Sequence, residues 1–350
     1  MPLEIENLRL EGPGSGEARV RIAACAICHS DIAFADGAWG GMLPAVYGHE
    51  AAGIVEEVGA GVRSVEAGER VVVSLVRSCG RCYFCEREEW HLCELELPSD
   101  REGRLRTDSG ESVHQAMHTA SFAEEVVVHE SQVAPIPESL PFHVASLIGC
   151  GVLTGLGSVL DRAAVTRGSN VVVVGTGGVG LNVVQGAVLA EAERVVGIDV
   201  SASKRRAASL FGATHTVDPA DDPVAAVRGL TGGRGADYVF VTVGRSEVIG
   251  ASFSHVRRGG TLVVVGMPSS GETIEISAVD LVHDDVRILG SKLGSARLAP
   301  MVRRVLDLYE RGELKLDELI SARYPFEEIN VALAAARDGD TLRNVVVFDG

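Results

Sequence analysis

Residues 170 to 199 read NVVVVGTGGVGLNVVQGAVLAEAERVVGID, and no other run in the chain constrains the fold as much. Val171 to Val174 form a β-branched stretch without polar alternation, which predicts a strand buried on both faces of a parallel sheet. It meets Gly175-x-Gly177-x-x-Gly180, and a helical stretch follows through Glu191. A lone glycine motif is weak evidence; strand, glycine turn and helix in that order give it meaning. Gly175 permits the tight turn, Gly177 lets the backbone approach a pyrophosphate, and Gly180 allows the helix to pack on the strand. Gly178 lies within the same turn, and the helix N-terminus offers free N–H groups to phosphate oxygens.

The next strand, Arg194 to Ile198, ends in Asp199, placed to accept hydrogen bonds from the adenosine ribose hydroxyls and to repel a 2′-phosphate. NAD is therefore expected in preference to NADP, with Lys204, Arg205 and Arg206 as the nearby features that favour the opposite choice. The competing reading of Asp199 is a helix N-cap. Further strands at Ala236 to Val243, Thr261 to Val265 and Val286 to Leu289 alternate with helical segments. Together they predict a Rossmann-type, doubly wound parallel sheet over 152–292.

The 350 residues exceed one hydrophobic core, so a second domain is expected. Before residue 152 the chain reads as short strands separated by glycines, EARVRIAA, AAGIVEEVGAGV and GERVVVSLV, as in a mostly antiparallel β domain. After Ser291 a helical run, LAPMVRRVLDLYERGEL, leads to the strand-like NVVVF. The expected organisation is a first part, 1–151, a dinucleotide-binding domain, 152–292, and a return to the first domain over 293–350, with a ligand cleft between two lobes. A net charge of −16 argues against a nucleic-acid partner. There is no apolar run of membrane-spanning length, and the opening MPLEIENLRLEGPG lacks the basic head and apolar core of a signal peptide. A cytoplasmic protein with no membrane partner is expected.

Four of the seven cysteines crowd into SCGRCYFCEREEWHLC, residues 78 to 93. Disulfides are rare in a reducing cytosol, and cysteines three residues apart staple little. Cys79, Cys82, Cys85 and Cys93, spaced C-x2-C-x2-C-x7-C, can instead converge on one ion. Four sulfur ligands make the closed, structural arrangement of zinc, with no position for a substrate.

With these two features, the chain resembles the zinc-dependent medium-chain alcohol dehydrogenases over nearly its whole length. CHSD from Cys28, GHEAAGIVEEVGAGV from Gly48, the cysteine loop, LIGCGVLTGLGS around Cys150 and the glycine turn carry the resemblance. It implies an α/β chain with a GroES-like, mostly antiparallel catalytic domain beside the Rossmann domain. It also implies two zinc ions per subunit and reversible hydride transfer between NAD and a primary or secondary alcohol. The catalytic zinc would be held by Cys28, His49 and Cys150, with Glu50 behind the metal and Asp31 supporting His49. Cys25 matches no ligand position and reads as a small buried hydrophobe. Ser30 matches the hydroxyl that takes the alcohol proton towards the nicotinamide ribose. Thr154 and Val179 match residues that press on the nicotinamide ring, Lys204 one near the adenosine ribose, Arg245 one near the adenine, and Arg343 a pyrophosphate-binding arginine. The bland alternative for Arg343 is a surface ion pair.

Two departures bear on mechanism. His29 stands where several relatives carry a pyrophosphate-binding arginine, which implies cofactor release that responds to pH near neutrality. Ala33 stands where many carry a histidine that delivers the proton to solvent. The apolar Leu75, Met117 and Leu293 match pocket-lining positions and suit an aliphatic or aromatic alcohol. The segment from Glu94 to Ala120 reads as a long loop of the kind found in dimeric relatives, which favours a homodimer over a tetramer. The competing functions are a dehydrogenase for a thiol adduct of formaldehyde and, outside enzymes, a NAD-binding zinc protein that serves as a redox sensor.

Overall fold

The structure, a computed structural model, describes residues 2–97 and 103–348. The chain divides into two compact units, Met1–Leu153 with Ala296–Gly350, and Thr154–Ser295.

In the second unit six parallel strands run in the order His215–Val217, Arg194–Ile198, Asn170–Val174, Ala236–Val241, Val256–Val264, Arg287–Gly290. In chain order this is 3-2-1-4-5-6, so the topology reverses beside Asn170–Val174, where a Rossmann sheet binds its ligand. The valine run behaves as its composition predicts: Val171, Val172 and Val173 are fully buried, each stabilising the sheet by roughly 1.5–3 kcal/mol. Helix Gly178–Leu189 leaves the strand directly through the glycine turn. The short strand His215–Val217 has no counterpart in the sequence reading; three residues are too few to show a period.

The first unit is built mostly of antiparallel strands. Its seven-stranded sheet contains Ile320–Pro325, Arg343–Val347, Glu17–Ala26, Glu50–Val58, Arg70–Ser74, Glu125–His129 and Val133–Pro135. Glu17–Ala26 is the spine. One edge pairs with Glu50–Val58 along its length, and the other is shared between Glu125–His129 and the late strand Arg343–Val347. Valines and isoleucines from alternate positions, with Ile329 and Ala332 of helix Ile329–Arg337, close the core beneath.

Part of the loop expected from Glu94 to Ala120, residues 98–102, lies outside the described residues. The rest is not simply a loop. Leu105–Thr107 and Ser112–Gln115 are strands of a four-stranded sheet with Leu8–Leu10 and Ala45–Val46. Their order comes from partners distant in sequence, such as Leu8 opposite Thr107, which local periodicity does not register.

Candidate active site and metal centres

Strand pairing brings the first site together. Ala26 lies opposite Glu50, so the end of one strand meets the start of the other, with Cys28 and His49 one or two residues beyond. Cys28 is the N-cap of the short helix His29–Ala35, and Asp31 is its third residue. The Asp31 carboxylate accepts three hydrogen bonds, from the Cys28 backbone N–H at 3.0 Å, the Gly48 backbone N–H at 3.0 Å and His49 Nδ1 at 2.9 Å. One carboxylate thus fixes both chain segments and sets the imidazole with Nε2 directed away from itself.

Cys150 arrives from over a hundred residues downstream. It caps the 3-10 turn Ser146–Gly149, and that turn packs so closely on the sheet that a Cβ on Gly149 would lie 2.6 Å from the Val73 carbonyl oxygen. Ser74 Oγ donates to the Gly149 carbonyl and holds the approach. The ligand atoms of Cys28, His49, Glu50 and Cys150 lie within 4.8 Å of one another, all buried.

The electrostatics suit a cation. A hydrogen bond with Cys150 and the neighbouring His49 hold the Cys28 thiol well below its ordinary range, against burial. Cys150, the other member of that bond and itself buried, sits well above. Burial opposes a charged His49, yet Asp31 and Cys28 raise it. Burial pushes Glu50 up to about 8 against the pull of Arg343. His49 Nε2 and both Glu50 oxygens are buried without a hydrogen-bond partner among the described residues. Stranded groups of this kind cost about 1–3 kcal/mol each, and a zinc ion ligated by the imidazole nitrogen would satisfy His49. The residues fit the metal.

Arg343 is not on the surface. It is 6% exposed, with Nη2 at 3.6 Å from Glu50 Oε1, an ion pair beyond hydrogen-bond reach. The surface-pair alternative is therefore corrected. Its guanidinium also lies against Gly151, where a Cβ would come within 2.5 Å of Nη2. Ser30 follows His29 in the first turn of helix His29–Ala35, and Ala33 offers no titratable group.

The second cluster is the cysteine loop, folded around the turns Cys85–Arg87 and Trp90–Leu92. Its four sulfurs also lie within 4.8 Å of one another. The pairs Cys79–Cys85 and Cys82–Cys93 are 3.9 Å apart, far beyond a disulfide and close to the roughly 3.8 Å edge of a tetrahedron with 2.3 Å zinc–sulfur bonds. Backbone N–H groups of Cys85 and Glu94 lower the Cys82 thiol to about 6, while burial pushes Cys85 up to about 12 and raises Cys93. Arg297 stacks over the Trp90 ring at 4.4 Å and ties the loop to helix Leu298–Glu310.

In the second unit the glycine turn has the form a pyrophosphate needs. A Cβ on Gly177 would meet nothing within 4 Å, whereas one on Gly180 would lie 1.9 Å from the Gly175 carbonyl oxygen. Gly177 thus opens space and Gly180 closes the helix on the strand. Helix Gly178–Leu189, with Val179 in its first turn, begins without a side-chain cap, so its first N–H groups are available to an anion. The turn fits a dinucleotide. Asp199 is not the cap of helix Ala202–Leu210; Ser201 is. The Asp199 carboxylate accepts instead from Thr176 N at 2.7 Å and Ser201 N at 2.9 Å. Lys204 lies in that helix, Thr154 is buried in helix Gly151–Gly157, and Arg245 precedes helix Ser246–Ser252, paired with Glu247. Sequence reasoning missed Thr176, Gly149, Ser74 and the contacts of Arg205; only Thr176, inside the glycine motif, carries a local signal.

A fold of this kind with two such clusters defines a zinc-binding dehydrogenase. Comparison with known proteins agrees. The description "Alcohol dehydrogenase GroES-like domain" matches residues 14–138 and "Zinc-binding dehydrogenase" residues 178–311. An NDMA-dependent alcohol dehydrogenase of Amycolatopsis methanolica is 36% identical, covering 99% of this chain and 95% of its own length. An S-(hydroxymethyl)glutathione dehydrogenase of Saccharomyces cerevisiae is 34% identical, covering 99% and 94%. The crystal structure of an alcohol dehydrogenase zinc-binding domain protein from Burkholderia ambifaria superposes with a TM-score of 0.94 at 31% identity, covering 100% and 96%. A zinc-binding dehydrogenase of Sinorhizobium meliloti 1021, solved bound to NADP, gives 0.78 at 31% identity, covering 97% and 94%. The chain belongs to the zinc-dependent medium-chain alcohol dehydrogenase family and is an oxidoreductase.

Proposed function

We propose that the chain is a zinc- and NAD-dependent alcohol dehydrogenase that interconverts a primary or secondary alcohol and its carbonyl product. The observation that carries this is the convergence of Cys28, His49 and Cys150, two sulfurs and one nitrogen, with their ligand atoms within 4.8 Å of one another. Three protein donors hold a zinc ion and leave a fourth tetrahedral position for substrate. Zinc bound there supplies a Lewis acid for the substrate oxygen, and NAD supplies the hydride acceptor.

The chain's own residues do the rest. Asp31 orients His49 and anchors Cys28. Glu50 lies behind the ligands, beside Arg343, and adjusts the field at the metal. Ser30 Oγ takes the proton that the substrate hydroxyl gives up and passes it towards water, since Ala33 provides no further base. Gly177 and the first turn of helix Gly178–Leu189 bind the pyrophosphate, assisted by His29 and Arg343, and Asp199 and Lys204 bind the adenosine ribose. Arg245 lies along the adenine, and Thr154 and Val179 bear on the nicotinamide. The cysteine loop holds a second, structural zinc ion that takes no part in the reaction.

Apolar Leu75, Met117 and Leu293 support an aliphatic or aromatic alcohol. Seven free thiols, all but Cys25 grouped as metal ligands, support a reducing, cytoplasmic setting. A homodimer is the assembly we infer. A second reading, a dehydrogenase for a thiol adduct of formaldehyde, is supported by the name of the yeast relative. The test is NAD reduction by the zinc-loaded protein against a panel of alcohols and thiol–formaldehyde adducts. Turnover of apolar primary alcohols is expected; turnover of adducts alone would replace this reading with the second.

A further inference from the structure

The strand Arg194–Ile198 ends in more than Asp199. Arg205, on helix Ala202–Leu210, turns back so that Nη1 donates to the Asp199 carbonyl at 2.6 Å and the Val200 carbonyl at 3.0 Å. Its Nη2 pairs with Asp218 Oδ2 at 2.8 Å, and the pair is half-buried. Asp218 belongs to the neighbouring strand end. Ile198 lies beside Val217 in the parallel register, so Asp199 and Asp218 are the next residues along two adjacent strands. One guanidinium bridges them, while the Asp199 carboxylate is fixed separately by Thr176 and Ser201.

We propose that Asp218 and Arg205 are a second determinant of cofactor choice, acting as positioning residues beside Asp199. The inference rests on the NAD reading above. A guanidinium at the ribose-recognising strand end is the group best suited to grip a 2′-phosphate, through paired N–H donors. Here Asp218 commits it to a carboxylate and two carbonyls. The ion pair therefore does two things: it locks the turn that presents Asp199, and it withholds a cation from NADP. Removing the Asp199 charge alone would leave Arg205 held. Nothing in the sequence of Asp218, nineteen positions from Asp199, announces this coupling.

The test is titration of NADH and NADPH, by nicotinamide fluorescence, into the zinc-loaded wild type, Asp199→Gly, the double variant Asp199→Gly with Asp218→Asn, and a triple variant that adds Arg205→Ala. Asparagine keeps the acceptor that Asp218 presents to the Ala220 N–H and removes the charge. Wild type should prefer NADH. Asp199→Gly should weaken NADH binding and improve NADPH binding only by what the loss of its own repulsion gives. The double variant should bind NADPH about tenfold more tightly than Asp199→Gly, with a steeper salt dependence, and the triple variant should lose that gain. Equal NADPH affinity in the single and double variants would overturn this inference while leaving the NAD reading in place. A wild type that prefers NADPH would overturn both.

Discussion

Asp31 is the residue on which the geometry of the proposed active site turns, because its two oxygens serve three donors on two chain segments. An amide there presents one acceptor and one donor. Asp31→Asn should therefore weaken retention of one zinc ion by about 10- to 100-fold, measured by competition with a chelator, and unchanged retention would remove Asp31 from the site. A different residue contributes to acid stability. Burial, and then the charge of Arg228, hold His255 down to about 4, against an ordinary 6.5. The fold keeps it neutral, so the unfolded chain binds the extra proton. The stability it contributes is full above pH 6.5 and is lost as pH falls from 6.5 towards 4, by up to roughly 3 kcal/mol. His255→Gln should flatten that part of the Tm profile relative to wild type; parallel profiles would contradict the assignment. At this scale the sequence offered the candidate ligands only through resemblance, since Cys28, His49 and Cys150 are too scattered for spacing to join them. It did not show that Arg343 is buried beside Glu50, or that Arg205 reaches back to two carbonyls, because both depend on contacts made only by the folded chain.

At the scale of elements, the glycine turn separates binding from folding. Gly177 faces open space and Gly180 faces a carbonyl oxygen at a distance no Cβ can occupy. Gly177→Ala should keep the Tm of the cofactor-free protein near wild type and weaken NADH binding. Gly180→Ala should lower the Tm, as the helix is forced off its strand. The reverse pattern, a Tm loss at Gly177 and none at Gly180, would contradict the roles given to them. The strand, turn and helix were legible because three local signals coincide within twenty residues. Leu105–Thr107, Ser112–Gln115 and His215–Val217 were not, since three- and four-residue strands owe their order to distant partners.

Across the whole molecule, the fold class was readable because each unit repeats its own signature, β-branched runs between glycines in one and alternating strands and helices in the other, while the family was readable only through the resemblance carried by motifs such as CHSD, GHEAAGIVEEVGAGV and the cysteine loop. No single helix among the described residues is long and apolar enough to cross a membrane; the bent pair Phe142–Gly149 and Gly151–Arg162 comes nearest, and much of it is buried in the core. On the proposed function, the two candidate metal clusters divide structure from chemistry. The cysteine loop has four sulfurs and no open position, and the site of Cys28, His49 and Cys150 has three donors with Glu50 behind. That division makes one measurement decisive: zinc content per chain, alcohol-dependent NAD reduction and NADH affinity, determined together for wild type, Cys150→Ser and His49→Ala. The account predicts two zinc ions in wild type, one in each variant, NADH bound with near-wild-type affinity throughout, and turnover abolished in both variants. Wild-type turnover in both variants would take the metal out of the reaction.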